Sequence, residues 1–523
     1  MPAAVAAGDV QTVEAAVHLL RAGGNAVDAA VGAMFAALLA EPPLINLGGG
    51  GIALVGHNGT VTAYDFMADM PSGPPRADMD FYEVVVQFEA ASQSFWLGRA
   101  SVAVPGFVAG LHAMHQDHGR LPWAQVLQPA IRLAEEGAVI SPAQAHIIGL
   151  LAELYQQDPA LRDLFLPQGR PIAPGARLRR PRLARTLRLL AEQGPDAFYR
   201  GPIAEAIVAD QQAHGGLITA ADLANYRVYR SPALQRPYRE AQVWLPGPPS
   251  RGGGLVAFTL ALLDDQPLGR WEPLGVDHVR TLAEAMRLTQ HARPRWEALA
   301  DRPHAFFDPA FVAEYRARLR QALAQGAFPQ APPEPPTGPH TTHISVADPE
   351  GLVVSMTVTA GEDAGFLVPE WGIRLNNMLG EADLHPEGFH RLRPGARLGT
   401  MMTPLLARWN TPTGPRLLAV GSGGSSRIRS AVLQTFSYVR DFGYPLSRAV
   451  EAPRVHYEDG VLHLEGGVPA STAKALQRLG YTVNPWAQRS MYFGGAHAIT
   501  WQPEHAQAAG DPRRGGAGQV VGA

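Results

Sequence analysis

Two alternating runs, Thr341-Thr342-His343-Ile344-Ser345-Val346-Ala347 and Leu352-Val353-Val354-Ser355-Met356-Thr357-Val358-Thr359, flank the turn sequence Asp348-Pro349-Glu350-Gly351. Their period of two predicts paired β-strands, with the Asp-Pro-Glu-Gly segment as the hairpin turn. Directly before them, Pro329–Pro339 holds six prolines in eleven positions. That segment cannot be helical and is expected to be exposed and extended. An exposed loop that ends at His340 and a strand that starts with Thr341 make a junction of interest. If the backbone were cut there, the new α-amine of Thr341 would sit beside its own hydroxyl. Its reference pKa, about 8, suits a general base. On spacing alone the junction is also ordinary, because threonine pairs are common at strand starts.

Working outward, the texture differs on the two sides. Before the prolines, helical patterns dominate: Val10, Val13, Val17 and Leu20 at helical spacing, then a helix capped by Asn25 and Asp28 that runs to about Ala40. Further helices are predicted over Trp123–Glu136, Arg182–Glu192, Ile203–His214 and Pro309–Gln325. A glycine run, Gly48–Gly51, precedes short strands at Ile52–Val55 and Val61–Phe66 and reads as tight backbone packing rather than a dinucleotide loop. After the prolines, strands are predicted at Leu417–Val420, Val461–Glu465 and Ala496–Trp501, with a helix over Arg429–Arg440. The Gly- and Ala-rich tail from about residue 503 to 523 is expected to be frayed.

Composition excludes whole classes of chemistry. The 523 residues carry 44 basic and 47 acidic side chains, a net charge of −3, which provides no basic field for nucleic acid or anionic membrane. There is no cysteine, hence no thiol nucleophile, disulfide or zinc–thiolate site. Lys474 is the sole lysine and lies in Ala-Lys-Ala, so there is no Walker-A phosphate loop. No serine has glycine at both −2 and +2, as a nucleophile elbow requires. His340 and His343 are spaced by three, a metal-like interval only on a helix, and neither position is helical by this reading. The apolar run Ala29–Ala40 is too short to span a bilayer. The N-terminus lacks a basic leader region, so a cytoplasmic location is expected, or a periplasmic one if the start is truncated.

Several ordered motifs resemble the γ-glutamyltranspeptidase (glutathione hydrolase) family of N-terminal-nucleophile hydrolases. They are Gly23-Gly24-Asn25-Ala26-Val27-Asp28-Ala29-Ala30, Glu41-Pro42 with Gly48–Gly51, Ser101–Gly106, and Gly215-Gly216 with Thr219, Asp222-Leu223 and Tyr226. Pro248-Pro249-Ser250 with Gly252-Gly253, Thr341–Asp348, Leu375-Asn376-Asn377 and Gly421–Ile428 complete the series. The resemblance implies an α/β (α+β) fold, a four-layer αββα sandwich. It also implies self-cleavage between His340 and Thr341 into a large subunit, 1–340, and a small one, 341–523, intertwined as one domain. Thr341 would be the nucleophile, Thr359 the hydroxyl that hydrogen-bonds it, and Gly424 with Ser425 the oxyanion-hole pair. No cofactor or metal is implied. The partners would be a small-molecule γ-glutamyl or other amide, with water, an amino acid or a peptide as acceptor.

The substrate-binding positions depart from the family pattern. Met67 stands where the family has a carboxylate-clamping arginine, Gly361 where it has an asparagine, and Met378 where it has a glutamine. Gly399 and Thr400 replace paired serines, and Glu381 remains as the group for an α-amino function. The short Glu381–Gly399 connection implies a missing lid. Arg374, Arg391, Arg393 and Arg397 are the candidates for a substitute clamp. Three readings follow: a γ-glutamyl amidase or transferase, an N-acyl amide hydrolase of another specificity such as a β-lactam side-chain acylase, and an uncut scaffold without catalysis.

Overall fold

A computed structural model describes residues 1–88, 91–325, 341–385 and 387–522. The proline-rich segment and His340, and with them the expected cleavage bond, lie outside the described residues.

Thirteen strands form the two large sheets: β1 Ala3–Ala7, β2 Gly50–His57, β3 Thr60–Phe66, β4 Tyr229–Pro232, β5 Leu234–Tyr238, β6 Ala241–Leu245, β7 Thr341–Ala347, β8 Val353–Thr359, β9 Leu405–Thr411, β10 Gly414–Gly423, β11 Gly495–Gln502, β12 His505–Ala509 and β13 Ala517–Val521. One sheet runs β13-β1-β7-β8-β2-β3-β4 and the other β12-β11-β10-β9-β6-β5. The predicted hairpin is the centre of the first sheet, with Thr341 opposite Thr359 and Ala347 opposite Val353. Asp348 makes the turn: its Oδ1 accepts the amides of Glu350 (2.8 Å) and Leu352 (3.1 Å). Its Oδ2 accepts the Ala26 amide at 3.1 Å, tying the hairpin to the start of a helix 322 residues away in sequence.

Three apolar cores separate four layers. Helices Val10–Arg21 and Ala26–Ala40 pack on the outer face of the first sheet, with Trp123–Glu136 and Pro181–Gln193 stacked behind them, in one core with Ile344, Val346, Val354 and Met356. Helices Arg251–Leu263, Val276–Ala298 and Ile428–Arg440 cover the second sheet. A thinner core that includes Ala4, Leu54, Leu406, Ala419 and Ile499 lies between the sheets. The fold is therefore the four-layer αββα sandwich. The helix Ala26–Ala40 is buried along its whole length, and Asn25 with Asp28 forms its capping box. Gly49 and Gly51 explain the glycine run, since a Cβ on them would lie 2.4 Å and 2.7 Å from the Thr359 and Thr357 carbonyl oxygens.

Alternation in the central hairpin has an uncommon outcome. An alternating strand normally turns its polar face to water, but every residue of both strands is buried. The polar side chains of His343, Ser345, Ser355 and Thr357 face the second sheet and find partners there and among themselves. His343 Nδ1 pairs with Thr357 Oγ1 at 2.8 Å and its Nε2 with Ser345 Oγ at 2.9 Å, while Ser345 and Ser355 donate to the His497 and Val420 carbonyls. Burial holds the His343 imidazole well below its ordinary pKa, so it is neutral.

The C-terminal tail corrects the expectation of fraying. Residues of β13 pair with β1 from Ala3↔Val521 to Ala7↔Ala517, and Arg514 between β12 and β13 is buried. Small side chains gave no apolar signal there; β13 forms along the edge of the sheet because the backbone groups of the buried strand β1 need partners. Tyr82–Phe88 with Ala91–Leu97, and β5 with β6, are likewise hairpins inside a region read as helical. No helix among the described residues is long and apolar enough to cross a membrane.

Candidate functional site

Thr341 and Thr359 sit at the open end of the central hairpin, nearly buried at 7% and 8% exposure. Register places them opposite each other, and the Thr359 hydroxyl oxygen accepts the Gly361 amide at 3.1 Å. From the other sheet, β10 ends at Gly423, where a Cβ would lie 2.0 Å from the Thr341 carbonyl oxygen. The chain then turns through Gly424 (φ +128°) and Ser425 (φ +49°) into the helix Ile428–Arg440. Ser425 thus takes a left-handed conformation that glycine adopts freely and that costs another residue about 1 kcal/mol. Its hydroxyl donates to Asp383 Oδ2 at 3.2 Å. Such a turn aims main-chain N–H groups ahead of a helix, the arrangement that stabilises a developing oxyanion.

A small cavity opens in front of Thr341. Of the predicted substrate positions, Met67, Gly361, Glu381 and Thr400 line it beside Thr341, Thr359 and Ser425. Met378 does not: it is fully buried, its amide bonded to Asn376 Oδ1 and its carbonyl to His385. Gly399 and Gly424 also lie off the wall. Both glycine replacements are filled by other groups. At Gly361 (φ +64°) a Cβ would meet Asn377 Oδ1 at 2.1 Å and Glu381 Oε1 at 2.5 Å. At Gly399 it would meet the Arg251 guanidinium at 2.9 Å.

Sequence reading missed two acidic wall residues, Glu362 and Asp383, and the apolar ones Leu384, Met401, Met402 and Ile428. Each of the two acids is one or two positions from a residue already singled out, Gly361 or Glu381, and local acidity there reads simply as a solvated turn. Together with Glu381 the two acids place three carboxyl groups in the cavity. Burial and the Asp383 charge push Glu362 up to about 8. Burial, Glu362 and Asp383 push Glu381 well above the usual carboxylate range. Burial also raises Asp383, against its bond from Ser425 and the pull of Arg427. Three acids in one desolvated space cannot all ionise readily, so near neutral pH the group retains protons.

No arginine lines the cavity among the described residues. Arg374 is held by Asp363 (2.8 Å) and by the carbonyls of Pro42 and Ile45. Arg397 binds Asp69 (2.6 Å) and Asp65 (3.0 Å) and stacks near Tyr226 and Tyr229. Arg391 and Arg393 are exposed. The Glu381–Gly399 connection forms short helical turns and packs through Phe389 on Phe81 and Trp96, and none of its described residues from His385 to Gly399 lines the cavity.

Comparison with known proteins gives a consistent result. Residues 12–521 match the family model described as Gamma-glutamyltranspeptidase. The chain is similar to the acylase ACY 1 proenzyme of Pseudomonas sp. (strain V22), 36% identical over 94% of this chain and 88% of that protein. It is also similar to the glutathione hydrolase proenzyme of Escherichia coli (strain K12), 31% identical over 92% of this chain and 85% of that one. Among solved structures it resembles cephalosporin acylase from Bacillus halodurans, with TM-score 0.82, 27% identity, and coverage of 99% and 95% of the two chains.

Proposed function

For a chain that belongs to the γ-glutamyltranspeptidase family, we propose an acylase: a self-cleaving amide hydrolase whose acyl donor is not held through an α-carboxylate. One observation carries the choice. Among the described residues, the wall opposite Thr341 presents Glu381, Glu362 and Asp383 and no arginine, with Met67 where a carboxylate clamp would stand. A buried acid cluster repels a substrate carboxylate, whereas a neutral acyl group or one bearing an amine is compatible with it. The similarity to an acylase over nearly the whole chain supports the same reading.

In this reading the chain is cut between His340 and Thr341. The Thr341 hydroxyl attacks the substrate carbonyl, with its own α-amine taking the proton. Thr359 holds that hydroxyl, and the Gly424–Ser425 turn receives the oxyanion. The amine component leaves with the proton, and water then attacks the acyl-threonine ester, releasing the acid. The test is an amide panel that varies only the acyl side chain, assayed on protein shown by intact mass to be cut. Turnover of donors lacking an α-carboxylate is the expected result. A strict requirement for a γ-glutamyl group would overturn it in favour of glutathione-type hydrolysis.

A further inference from the structure

The nucleophile poses a mechanical problem that the wall of the cavity does not solve. A residue that becomes a chain terminus loses its covalent neighbour, and termini fray unless they are tied down. Behind Thr341, on the side away from the cavity, two buried ionisable residues, Glu41 and Arg514, do the tying. Glu41, at the C-terminal end of the helix Ala26–Ala40, is 0% exposed. Its Oε1 accepts the Thr12 hydroxyl at 2.7 Å and its Oε2 accepts the Thr342 hydroxyl. Space has been cleared for it: a Cβ on Gly8 would lie 2.2 Å from Glu41 Oε2 and 2.9 Å from Thr342 Oγ1.

Arg514 approaches from the C-terminal turn that precedes β13. Its Nη1 donates to the Thr341 carbonyl at 3.2 Å and its Nη2 to the Met491 carbonyl at 3.5 Å. The same guanidinium backs the oxyanion turn, since Nη1 and Nη2 would lie 2.6 Å and 3.3 Å from Cβ atoms on Gly423 and Gly424. Its side-chain stem runs against Gly495, where a Cβ would meet Cδ at 2.3 Å. Neither Glu41 nor Arg514 lines the cavity.

We propose that Glu41 and Arg514 are positioning residues that grip the Thr341–Thr342 peptide from behind, so that the nucleophile and the oxyanion turn keep their mutual geometry after the chain is cut. The proposal rests on the reading of Thr341 as a self-generated terminal nucleophile. Both residues act through others: Glu41 through the Thr342 hydroxyl, Arg514 through the Thr341 carbonyl and the Gly423–Gly424 backbone. Burial at this depth makes the grip stiff, because a displacement would break these hydrogen bonds and leave polar groups unpaired away from water.

A double-mutant cycle tests it. Glu41→Gln, Thr342→Val and the pair together are purified, the cut fraction is read by intact mass, and kcat and KM are measured per cut chain with an amide that the parent turns over. Misplacement of a nucleophile by about 1 Å costs up to a hundredfold in rate, so each variant is expected to lose at least tenfold in kcat with KM within twofold, and the double variant no more than the singles. Arg514→Met is expected to lose as much, and Arg514→Lys to recover part of it. A variant that folds with the parent's Tm yet stays uncut also supports the proposal, since the same hydroxyl makes the cut. Unchanged kcat in Glu41→Gln and Arg514→Met, or fully additive losses in the cycle, would overturn it. A parent chain that is itself never cut would instead sink the underlying reading of Thr341.

Discussion

On the Thr341 side of the cavity, position is set by backbone. Strand register puts Thr341 opposite Thr359, Gly423 touches the Thr341 carbonyl, and the donors proposed for the oxyanion are main-chain amides of the Gly424–Ser425 turn. On the facing side, position is set by side chains from loops: Met67, Glu362, Glu381, Asp383 and Thr400. On the proposed roles, the contrast means that Ser425 can stand in a glycine's place without changing the chemistry, whereas Met67 in an arginine's place changes what can bind. A hydrogen bond from the main chain survives a change of side chain if φ and ψ survive; a bidentate guanidinium–carboxylate contact has no thioether equivalent.

The comparison breaks most visibly at the nucleophile. Thr341→Ala should lower kcat by at least about three orders of magnitude and leave a single full-length species by intact mass; residual turnover near the parent's would remove Thr341 from the reaction. Next comes the turn. Ser425→Pro deletes a main-chain N–H and should cost about a hundredfold in kcat or more, whereas Ser425→Gly should stay within a fewfold of the parent. Equal effects of the two would mean that the side chain, not the backbone, matters there.

Smaller effects probe the loop side. Restoring an asparagine at Gly361 should lower stability by about 1–3 kcal/mol in denaturant titration, because its Cβ enters space held by Glu381 and Asn377; a well-tolerated Gly361→Asn would show that the acid cluster can yield. The acids also predict a pH dependence. Glu362 is raised to about 8, so its protonated form is favoured by folding, and the stability it contributes is lost as pH rises through that value. An amine-bearing donor should bind more tightly over the same interval as the cluster ionises. In Glu362→Gln the change in KM between about pH 7 and 9 should flatten; an unchanged profile would assign the titration to Glu381 or Asp383.

Much of this was legible locally. The hairpin from Thr341 to Thr359, its Asp348 turn and the capped helix Ala26–Ala40 follow from periodicity and capping, which act within a few residues. The motifs pointed to Thr341, Thr359, Gly361, Glu381 and Ser425, and these do meet at one cavity. Met378 was misplaced because an ordered motif says which residues are near a site but not which way each side chain turns. Glu362 and Asp383 were overlooked because acidity in a loop usually means exposure to water; only packing makes it a property of the cavity.

The sequence by itself determined the central hairpin and the capped helix Ala26–Ala40, the αββα class through its motifs, and the absence of thiol chemistry, since each of these depends on neighbours in the chain or on composition alone. The tertiary structure decided which face of the central hairpin is polar yet dry, which arginines are already engaged, and what stands behind the nucleophile. Glu41 meets Thr342 across 301 residues and Arg514 meets Thr341 across 173. No local pattern encodes such contacts; they arise because closing two sheets face to face leaves each buried polar group to find its partner wherever the fold has brought one.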